Sequence, residues 1–354
     1  MSLNVGEGKL GKVSIGIIGC GGIANYFHLP ELVQIKDVKV SAVADIKKNR
    51  AKATALKFKV PKWYTDYEEL LERGDIDAVV VATPHPTHSP IAVDAIKAGK
   101  HVMIQKPMAT NVKDANALVE CARKYKNVKV MALPFVYFDN PSMKYIKSLL
   151  KNGHLGKVCM ARFRVAHGGP EKYQEGVAKM FKEKAGRTWF FDREMAEGGA
   201  LFDMGVYSIT MATLLLGKAR QVSSCMGTFE KKATVEDSAA IIMEMEHGAI
   251  AVVETAWTQA RGIDEASLYG VKGIVFWDTA FGTPAVMYYR SSDSAWIAPQ
   301  LQSEEEPQHA HRHFVKCILE DKQPIGTVDE GRYLVQVMEA AKISSRLGRV
   351  VKLH

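Results

Sequence analysis

The most constraining feature of the sequence is the regular alternation of short apolar runs and amphipathic stretches over residues 13–132. The apolar runs are rich in β-branched residues and predict buried strands at 13–18, 38–44, 78–82, 101–104 and 128–132. The stretches between them predict helices. Continuous apolar strands that alternate with helices are typical of a parallel sheet covered by helices on both faces.

The pattern changes after about residue 134. Helices are predicted at 140–152 and 200–216, followed by strands of alternating polarity and then by helices at 309–320 and 329–347. The alternating strands, at 221–230, 238–246, 250–258, 265–270, 274–278 and 286–290, indicate an antiparallel sheet. The predicted fold class is α/β. A doubly wound parallel sheet forms a domain of residues 1–135, and an open, mostly antiparallel sheet forms an α/β domain of residues 136–354.

A glycine-rich turn directly follows the first predicted strand and begins a helix. Residues 19–24, Gly-Cys-Gly-Gly-Ile-Ala, fit the G-x-G-x-x-[GA] pattern of a dinucleotide-binding loop. Gly19 permits the tight turn, Gly21 lets the backbone approach a pyrophosphate, and Ala24 allows close packing of helix on strand. Backbone N–H groups of this segment, which includes Gly22 and Ile23, would attract the anion together with the helix dipole.

The acidic residue at the end of the second predicted strand bears on the choice of cofactor. Asp45 lies where a carboxylate accepts hydrogen bonds from a ribose diol and repels a 2′-phosphate, which favours NAD. Lys47, Lys48 and Arg50 follow closely, and a cation there could accommodate the 2′-phosphate of NADP. NAD is therefore the predicted cofactor, and NADP is the alternative.

Two more loops follow predicted strands at the edge where doubly wound sheets bind ligands. Thr83 and Pro84 begin a proline-stiffened loop that we expect to lie against the nicotinamide half of the cofactor. His88, in the same loop, either contacts cofactor or substrate or caps the next helix. Gln105 and Lys106 follow the strand at 101–104. Near a positive nicotinamide the pKa of Lys106 would fall, which suits proton transfer; the alternative is an exposed loop lysine.

The predicted helix of the second half carries two polar residues on an otherwise apolar face. Asp203 and Tyr207 are four residues apart, so they share that face. A carboxylate in such a setting needs a partner, and Asp203 could be a cap, an ion-pair partner or a substrate ligand. Tyr207 needs a neighbouring cation such as Lys106 to act near neutral pH. Arg162 and Trp189 could line a sugar pocket or serve packing at a strand edge.

Composition excludes several classes of protein. Lys and Arg outnumber Asp and Glu by 47 to 39, giving +8, but no nucleic-acid-binding motif accompanies the charge. The five cysteines are dispersed and lack a C-x-x-C pair, which is typical of free thiols in a reducing cytosol. No apolar run approaches the roughly 18 residues of a membrane span. We therefore expect a cytoplasmic protein without a metal site that binds neither nucleic acid nor membrane.

Nearly the whole chain resembles the glucose-fructose oxidoreductase/inositol dehydrogenase (Gfo/Idh/MocA) family. This resemblance implies a Rossmann domain, then an α/β domain whose sheet has an exposed face through which members form homodimers or homotetramers. It implies NAD(P)-dependent oxidation or reduction of a sugar, cyclic polyol or similar compound. The motifs that carry it are residues 17–24, Thr83-Pro84 with His88, 98–102, Lys106-Pro107, 153–158, 189–192 and 198–207.

The resemblance also implies residue roles. Lys106 is the central catalytic lysine, Asp203 orients the reacting hydroxyl and Tyr207 occupies the acid/base position. This sequence has Gln105 where the family usually has Glu, and Tyr207 where many inositol dehydrogenases have His. The tyrosine is similar to that of the glucose-fructose oxidoreductase and dihydrodiol or xylose dehydrogenase branch, and leaves Lys106 and Tyr207 as alternative proton-transfer groups.

Three functions are compatible with these features. The first is an NAD(P)-dependent dehydrogenase or reductase that transfers a hydride between nicotinamide and a secondary alcohol or its carbonyl. The second is glycoside cleavage or elimination in which NAD is recycled in place. The third is a non-catalytic NAD(P)-binding sensor, and the presence of both Lys106 and Asp203 argues against it.

Overall fold

The structure is a computed structural model that describes residues 11–132, 137–138, 140–184, 186–279, 286–301 and 309–353. Within these residues it contains a six-stranded and a nine-stranded sheet, each covered by helices on at least one face. The predicted α/β fold class is confirmed.

The first sheet is parallel throughout, with the strand order β3-β2-β1-β4-β5-β6. The two central strands, β1 and β4, are apolar apart from Ser14 and are buried along their whole length, as expected for strands covered on both faces. All its strands end at the same edge, where the predicted ligand-binding loops lie. The strands are β1 Val13–Ile18, β2 Val38–Ala44, β3 Trp63–Tyr64, β4 Ala78–Val81, β5 His101–Ile104 and β6 Val130–Ala132.

The second sheet has the order β14-β13-β12-β11-β7-β10-β9-β8-β15. Its strand pairs are antiparallel except for β7 and β10, which run parallel. The strands are β7 Val158–Ala166, β8 Ala219–Gly227, β9 Ser238–Met245, β10 Ile250–Ala256, β11 Ile263–Gly270, β12 Gly273–Asp278, β13 Val286–Arg290, β14 Ala295–Ile297 and β15 Val351–Lys352.

The helices cover both faces of the first sheet and one face of the second. Two π-helical turns, Ala24–His28 and Leu201–Gly205, lie at the starts of the helical segments that carry the site. The α-helices are α1 Leu29–Leu32, α2 Lys48–Phe58, α3 Tyr67–Leu71, α4 His88–Lys97, α5 Val112–Lys124, α6 Pro141–Lys151, α7 Glu171–Phe181, α8 Arg193–Ala196, α9 Val206–Leu216, α10 Ala310–Leu319 and α11 Val328–Leu347.

Helix α10 returns from the second half of the chain to the first sheet. Its Ala310, Phe314, Val315 and Ile318 share a buried apolar cluster with residues of β1, β2 and β4. The face of the first sheet that α10 covers is therefore completed by residues far away in sequence.

One helical segment is apolar enough to cross a membrane by length and composition alone. Arg193–Leu216 meets that criterion, which the sequence analysis did not anticipate, but 72% of its most apolar stretch is buried inside the protein. Such burial is what the central helix of a folded core shows. Helix α9 packs on β7 and β10, so its apolar surface has protein neighbours.

Strand β7 and helix α7 were not predicted from the sequence. The β7 segment alternates arginines with Ala161, Phe163 and Val165, whose side chains are at most 1% exposed. Arg162 and Arg164 therefore lie on the other, open face of the sheet.

Candidate active site

The glycine-rich turn has the conformation that its sequence predicts. Gly19 has φ of +98°, and a Cβ there would lie 2.5 Å from the carbonyl oxygen of Ala82, so any larger residue would collide with the backbone. A Cβ at Gly21 would meet nothing within 4 Å. Ala24 is completely buried. The loop therefore leaves open space at the position where the sequence predicts close approach of a pyrophosphate.

Asp45 connects this loop to the end of β2. Its Oδ2 accepts a hydrogen bond from the Cys20 N–H at 2.8 Å, and its Oδ1 accepts one from the Lys47 N–H at 2.8 Å. Gly21 and Asp45 thus lie at one edge of the first sheet, an arrangement that fits the diphosphate and adenosine ribose of a dinucleotide.

Helix α7 covers the phosphate loop. A Cβ at Gly22 would overlap the ring of Tyr173 and the side chain of Val177. Tyr173 also makes an edge contact with Tyr26, with ring centroids 5.9 Å apart. A helix that the sequence analysis did not predict therefore covers the cofactor loop that it did predict.

His88 holds two ligand-edge loops together. It is 1% exposed; its Nδ1 lies 2.7 Å from the Pro107 carbonyl oxygen and its Nε2 lies 2.7 Å from that of Thr83. Burial lowers the pKa of His88, partly opposed by the two carbonyl groups, and the neutral ring donates to only one of them at a time. The sequence left two roles open for His88, a helix cap or a contact with cofactor or substrate. In the structure Thr87 is the N-cap of α4, and both ring nitrogens of His88 face backbone carbonyl groups. The Thr87 hydroxyl lies 2.8 Å from both the Thr83 hydroxyl and the Pro84 carbonyl oxygen, each of which can accept its hydrogen bond.

Gln105 ends a buried hydrogen-bonded chain. Its Oε1 accepts from the Lys106 N–H at 3.1 Å, and its Nε2 lies 2.9 Å from His28 Nε2. His28 Nδ1 lies 2.7 Å from His311 Nε2, and His311 Nδ1 lies 2.6 Å from Glu31. If Gln105 donates to His28, both histidines can be neutral, with each N–H pointing toward the carboxylate. Burial lowers the pKa of His28 well below its ordinary value, which agrees with this arrangement.

Lys106 and Asp203 form the central ion pair of the site. Lys106 Nζ lies 2.7 Å from Asp203 Oδ1 and also donates to the Asp203 carbonyl oxygen. The other carboxylate oxygen accepts from Trp257 Nε1 at 3.0 Å and lies 3.5 Å from His167 Nε2. The Lys106 and Asp203 side chains are only 12% and 10% exposed. Of the sequence alternatives for Asp203, the ion pair is the one present in the structure.

Trp257 and His167 reach Asp203 because β7 and β10 are parallel neighbours. Ala166 and Ala256, the last residues of these strands, are paired in register, so the next residue of each emerges at the same edge. Trp257 was not predicted from the sequence. Trp257 and His167 could have been identified by their positions directly after the ends of β10 and β7. That signal can be used only if β7 is recognised as a strand.

Tyr207 lies beside the lysine. Lys106 Nζ is 4.9 Å from the centre of the Tyr207 ring, and Tyr137 makes an edge contact with that ring. Tyr137 in turn donates to Asp264 Oδ2 at 2.9 Å. The structure therefore brings together Lys106, Asp203 and Tyr207, the three predicted catalytic residues.

The surroundings of these groups determine their charges. Burial lowers the pKa of Lys106, but Asp203 and Tyr207 outweigh it, so the pKa is raised overall. Burial raises the pKa of Asp203, but Lys106 and His167 outweigh it, so that pKa is well below its usual range. Burial raises the pKa of Tyr207, partly opposed by Lys106. The protein therefore holds a charged lysine–aspartate pair beside a neutral tyrosine. The sequence predicts a lowered pKa for Lys106 only beside a positive nicotinamide, so this lowering would require a bound cofactor.

The structure places the two other predicted substrate residues differently: Trp189 lies near the site and Arg162 does not. Trp189 lies against His85, with ring centroids 4.9 Å apart, and stacks on Phe190. His85 is 4% exposed, and its Nδ1 has no hydrogen-bond partner. Burial lowers the pKa of His85 well below its ordinary value, and the charge of Lys106 lowers it further. His85 is therefore close enough to Lys106 to be affected by its charge.

Arg162 does not belong to this pocket. It lies on the open face of the second sheet, where it pairs with Glu254 and Glu265 on the neighbouring strands at 2.8 Å. Strand alternation is the physical reason, because Phe163 takes the face that packs on α9. Arg162 therefore forms ion pairs on a partly exposed face of a central strand, away from the lysine–aspartate pair.

The fold and the site define a dinucleotide-dependent oxidoreductase, with a phosphate loop and a lysine–aspartate–tyrosine cluster at one sheet edge. Residues 13–133 match the model of the Gfo/Idh/MocA oxidoreductase family with an NAD-binding Rossmann fold, and residues 143–276 match the C-terminal domain of that family. These matches cover most of the chain, which therefore belongs to the Gfo/Idh/MocA family. The resemblance inferred from the sequence and the prediction of NAD are confirmed.

Similar proteins agree with this assignment. The chain is 26% identical over 352 residues to myo-inositol 2-dehydrogenase of Thermotoga maritima, covering 96% of this chain and 98% of the relative. It is 25% identical over 335 residues to trans-1,2-dihydrobenzene-1,2-diol dehydrogenase of Xenopus tropicalis, covering 92% and 96%. The structure of an aldose-aldose oxidoreductase from Caulobacter crescentus, complexed with glycerol, shares the fold with a TM-score of 0.81, 24% identity and coverage of 97% and 100%.

Proposed function

We propose that this protein is an NAD-dependent dehydrogenase of a sugar, cyclic polyol or similar small molecule. The observation that carries the proposal is the buried Lys106–Asp203 pair beside Tyr207, at the sheet edge that also bears the phosphate loop. Inositol and dihydrodiol dehydrogenases are among the chain's relatives, and both names specify alcohol substrates.

The residues at the first sheet fit a dinucleotide. Backbone groups around Gly19, Gly21, Gly22, Ile23 and Ala24 would hold the pyrophosphate, and Asp45 the ribose hydroxyls. Thr83, Pro84 and Gln105 lie at the same edge, with His88 positioning their loops. When bound, NAD⁺ accepts the hydride that leaves the alcohol carbon.

The chain's own residues handle the hydroxyl and its proton. Asp203, fixed by Trp257, orients the hydroxyl by accepting its hydrogen bond. To receive the hydroxyl proton, Lys106 or Tyr207 must first lose its own proton, which the positive nicotinamide of bound NAD⁺ would favour. The other group would stabilise the oxygen as negative charge develops. In balance, the alcohol loses a hydride and a proton and becomes a carbonyl, whereas NAD⁺ becomes NADH. The reverse direction uses the same groups.

The direct test is a panel of inositols, aldoses and anhydrosugars, each with NAD⁺ and NADP⁺, read by nicotinamide absorbance. We expect net NADH to accumulate with at least one polyol or sugar. Product formation without net NADH would favour cleavage or elimination with recycled NAD. Binding of NADH without reduction of bound NAD⁺ by any compound would favour a sensor.

We propose that the second sheet also builds a homodimer or homotetramer. Its open face bears exposed apolar residues on several neighbouring strands, at Met160, Ile242, Ile250, Phe276 and Trp296. Exposed apolar surface of that extent is typical of an interface. We also propose a cytoplasmic location, which agrees with five cysteines that are all free thiols.

The domain boundary near residue 135 is a related proposal. The first sheet ends at Ala132 and the second sheet begins with β7, which supports a division between them. Helix α10 would then be a part of the second segment that packs on the first domain.

A further inference from the structure

One carboxylate from the second half of the chain lies beside the ribose end of the phosphate loop. Glu183, just beyond α7, accepts two hydrogen bonds from Arg50, at 2.7 Å from Nε and 2.6 Å from Nη2. Lys47 Nζ and Asn49 Nδ2 donate to the same carboxylate at 3.3 and 3.2 Å. Four donors at the start of α2 thus converge on one internal anion.

These donors belong to the part of the fold that reads the ribose. Lys47 follows Asp45 closely and donates its backbone N–H to that carboxylate. In dinucleotide-binding sheets the acidic residue at this strand end meets the ribose hydroxyls, and a nearby cation receives the 2′-phosphate of NADP. Lys47 and Arg50 are therefore the cations placed to receive a 2′-phosphate, and Glu183 already pairs with both.

The ion pair between Arg50 and Glu183 is partly shielded from solvent. The Arg50 and Glu183 side chains are 15% and 18% exposed, so salt and solvent screen the pair less than an ordinary surface pair. The bidentate geometry matches the way a guanidinium holds a phosphate. The Arg50 hydrogen bonds, together with those from Asn49 and Lys47, lower the pKa of Glu183 to about 2, so its charge is present throughout the neutral range.

We propose that Glu183 is a specificity-determining residue that selects NAD over NADP. Its carboxylate occupies the cations that a 2′-phosphate would need, and its negative charge repels that phosphate. The inference rests on the proposed dinucleotide binding, and it assigns the selectivity to a residue far in sequence from the Rossmann loop. Tyr173 on α7 covers the phosphate loop, so the segment 171–183 contacts both ends of the adenosine diphosphate site.

The test compares Glu183→Gln with the wild type in binding of NADH and NADPH, followed by nicotinamide fluorescence without substrate. We expect the Kd for NADPH to fall by about tenfold or more, as expected when a like charge is removed from a phosphate site. The Kd for NADH should stay within about threefold. Glu120→Gln is the matched control, because it removes an exposed carboxylate from α5, outside the cavity that Lys47, Arg50 and Glu183 line.

A second variant tests whether Arg50 is a cation that receives the 2′-phosphate. In Glu183→Gln/Arg50→Gln most of the gain in NADPH affinity should be lost, because the bidentate cation is gone and only Lys47, the more distant partner of Glu183, remains. An unchanged NADPH-to-NADH ratio in Glu183→Gln, or a gain that persists in full in the double variant, would overturn the inference. Failure of the wild type to bind NADH would instead contradict the proposed function.

Discussion

Asp203 is the residue whose contacts most strongly connect structure to chemistry. It joins a lysine from the first sheet to a tryptophan and a histidine from two strand ends of the second. A buried carboxylate is tolerated only when it is paired and hydrogen-bonded, and here every partner is a donor. The same partners hold the carboxylate in a fixed direction, which is what orientation of a substrate hydroxyl requires.

Replacing Asp203 by Asn is predicted to change the pH dependence of alcohol oxidation. Burial lowers the pKa of Lys106 and Asp203 raises it, so losing the carboxylate lowers that pKa. If Lys106 is the base, the alkaline rise in kcat/KM should move to lower pH, with kcat reduced about 10²-fold or more. Initial rates across pH measure this effect. Because Asp203 raises the pKa of both Lys106 and Tyr207, a rise that stays in place would show that Asp203 does not set the pKa of the titrating group.

The position of a residue could be predicted from sequence where it depends on the immediate neighbours. Gly19 and Asp45 directly follow strands that are recognisable by their apolar runs, and Lys106 lies one residue further beyond such a strand. Trp257 and the Arg162 pairing could not be predicted in this way. Both depend on the register of β7 with β10 and β11, which joins segments about a hundred residues apart.

Helix α10 shows how an element can be recognised without its position being predicted. Its amphipathic pattern indicates a helix, but the sequence does not say that it covers the first sheet rather than the second. Its His311 is completely buried and joins the chain that runs through His28 to Gln105. The two neighbouring histidines have surroundings unlike those of His311. His309 is 54% exposed, and His313 accepts the backbone N–H of Ile325.

His311→Ala is predicted to destabilise the protein by about 2–4 kcal/mol, because it leaves Nδ1 of buried His28 without a partner and opens a cavity. Urea unfolding monitored by circular dichroism measures this change. His309→Ala should stay within about 0.5 kcal/mol, as expected at an exposed position. Equal stability of the two variants would show that the buried chain contributes nothing to docking of α10.

At the scale of the whole molecule, the two sheets have different exposure. The first is covered on both faces, whereas one face of the second carries paired charges, such as Arg162 with Glu254, among exposed apolar side chains. Charges that are paired within the chain need no partner in another molecule. The apolar residues beside them gain most from being covered by another copy of the same sheet.

Ile242→Glu is predicted to dissociate the oligomer, because it places an unpaired charge in the middle of that face. Ile242 is 52% exposed on β9. Sedimentation velocity should show a dimer or tetramer for the wild type and a smaller species for the variant. Leu56→Glu, on exposed α2 and away from the sheet, is the control and should sediment like the wild type. A monomeric wild type would contradict the proposed assembly.

The central claim, that Lys106 acts in hydride transfer between an alcohol and NAD, is tested most directly by a single-turnover measurement on Lys106→Ala. With a polyol or sugar that the wild type oxidises, reduction of bound NAD⁺ should slow by about 10²–10⁴-fold, the usual contribution of a proton-transfer group. The Kd for NADH should stay within about threefold, because the phosphate loop and Asp45 are unchanged. An unchanged rate of NADH formation would contradict the account.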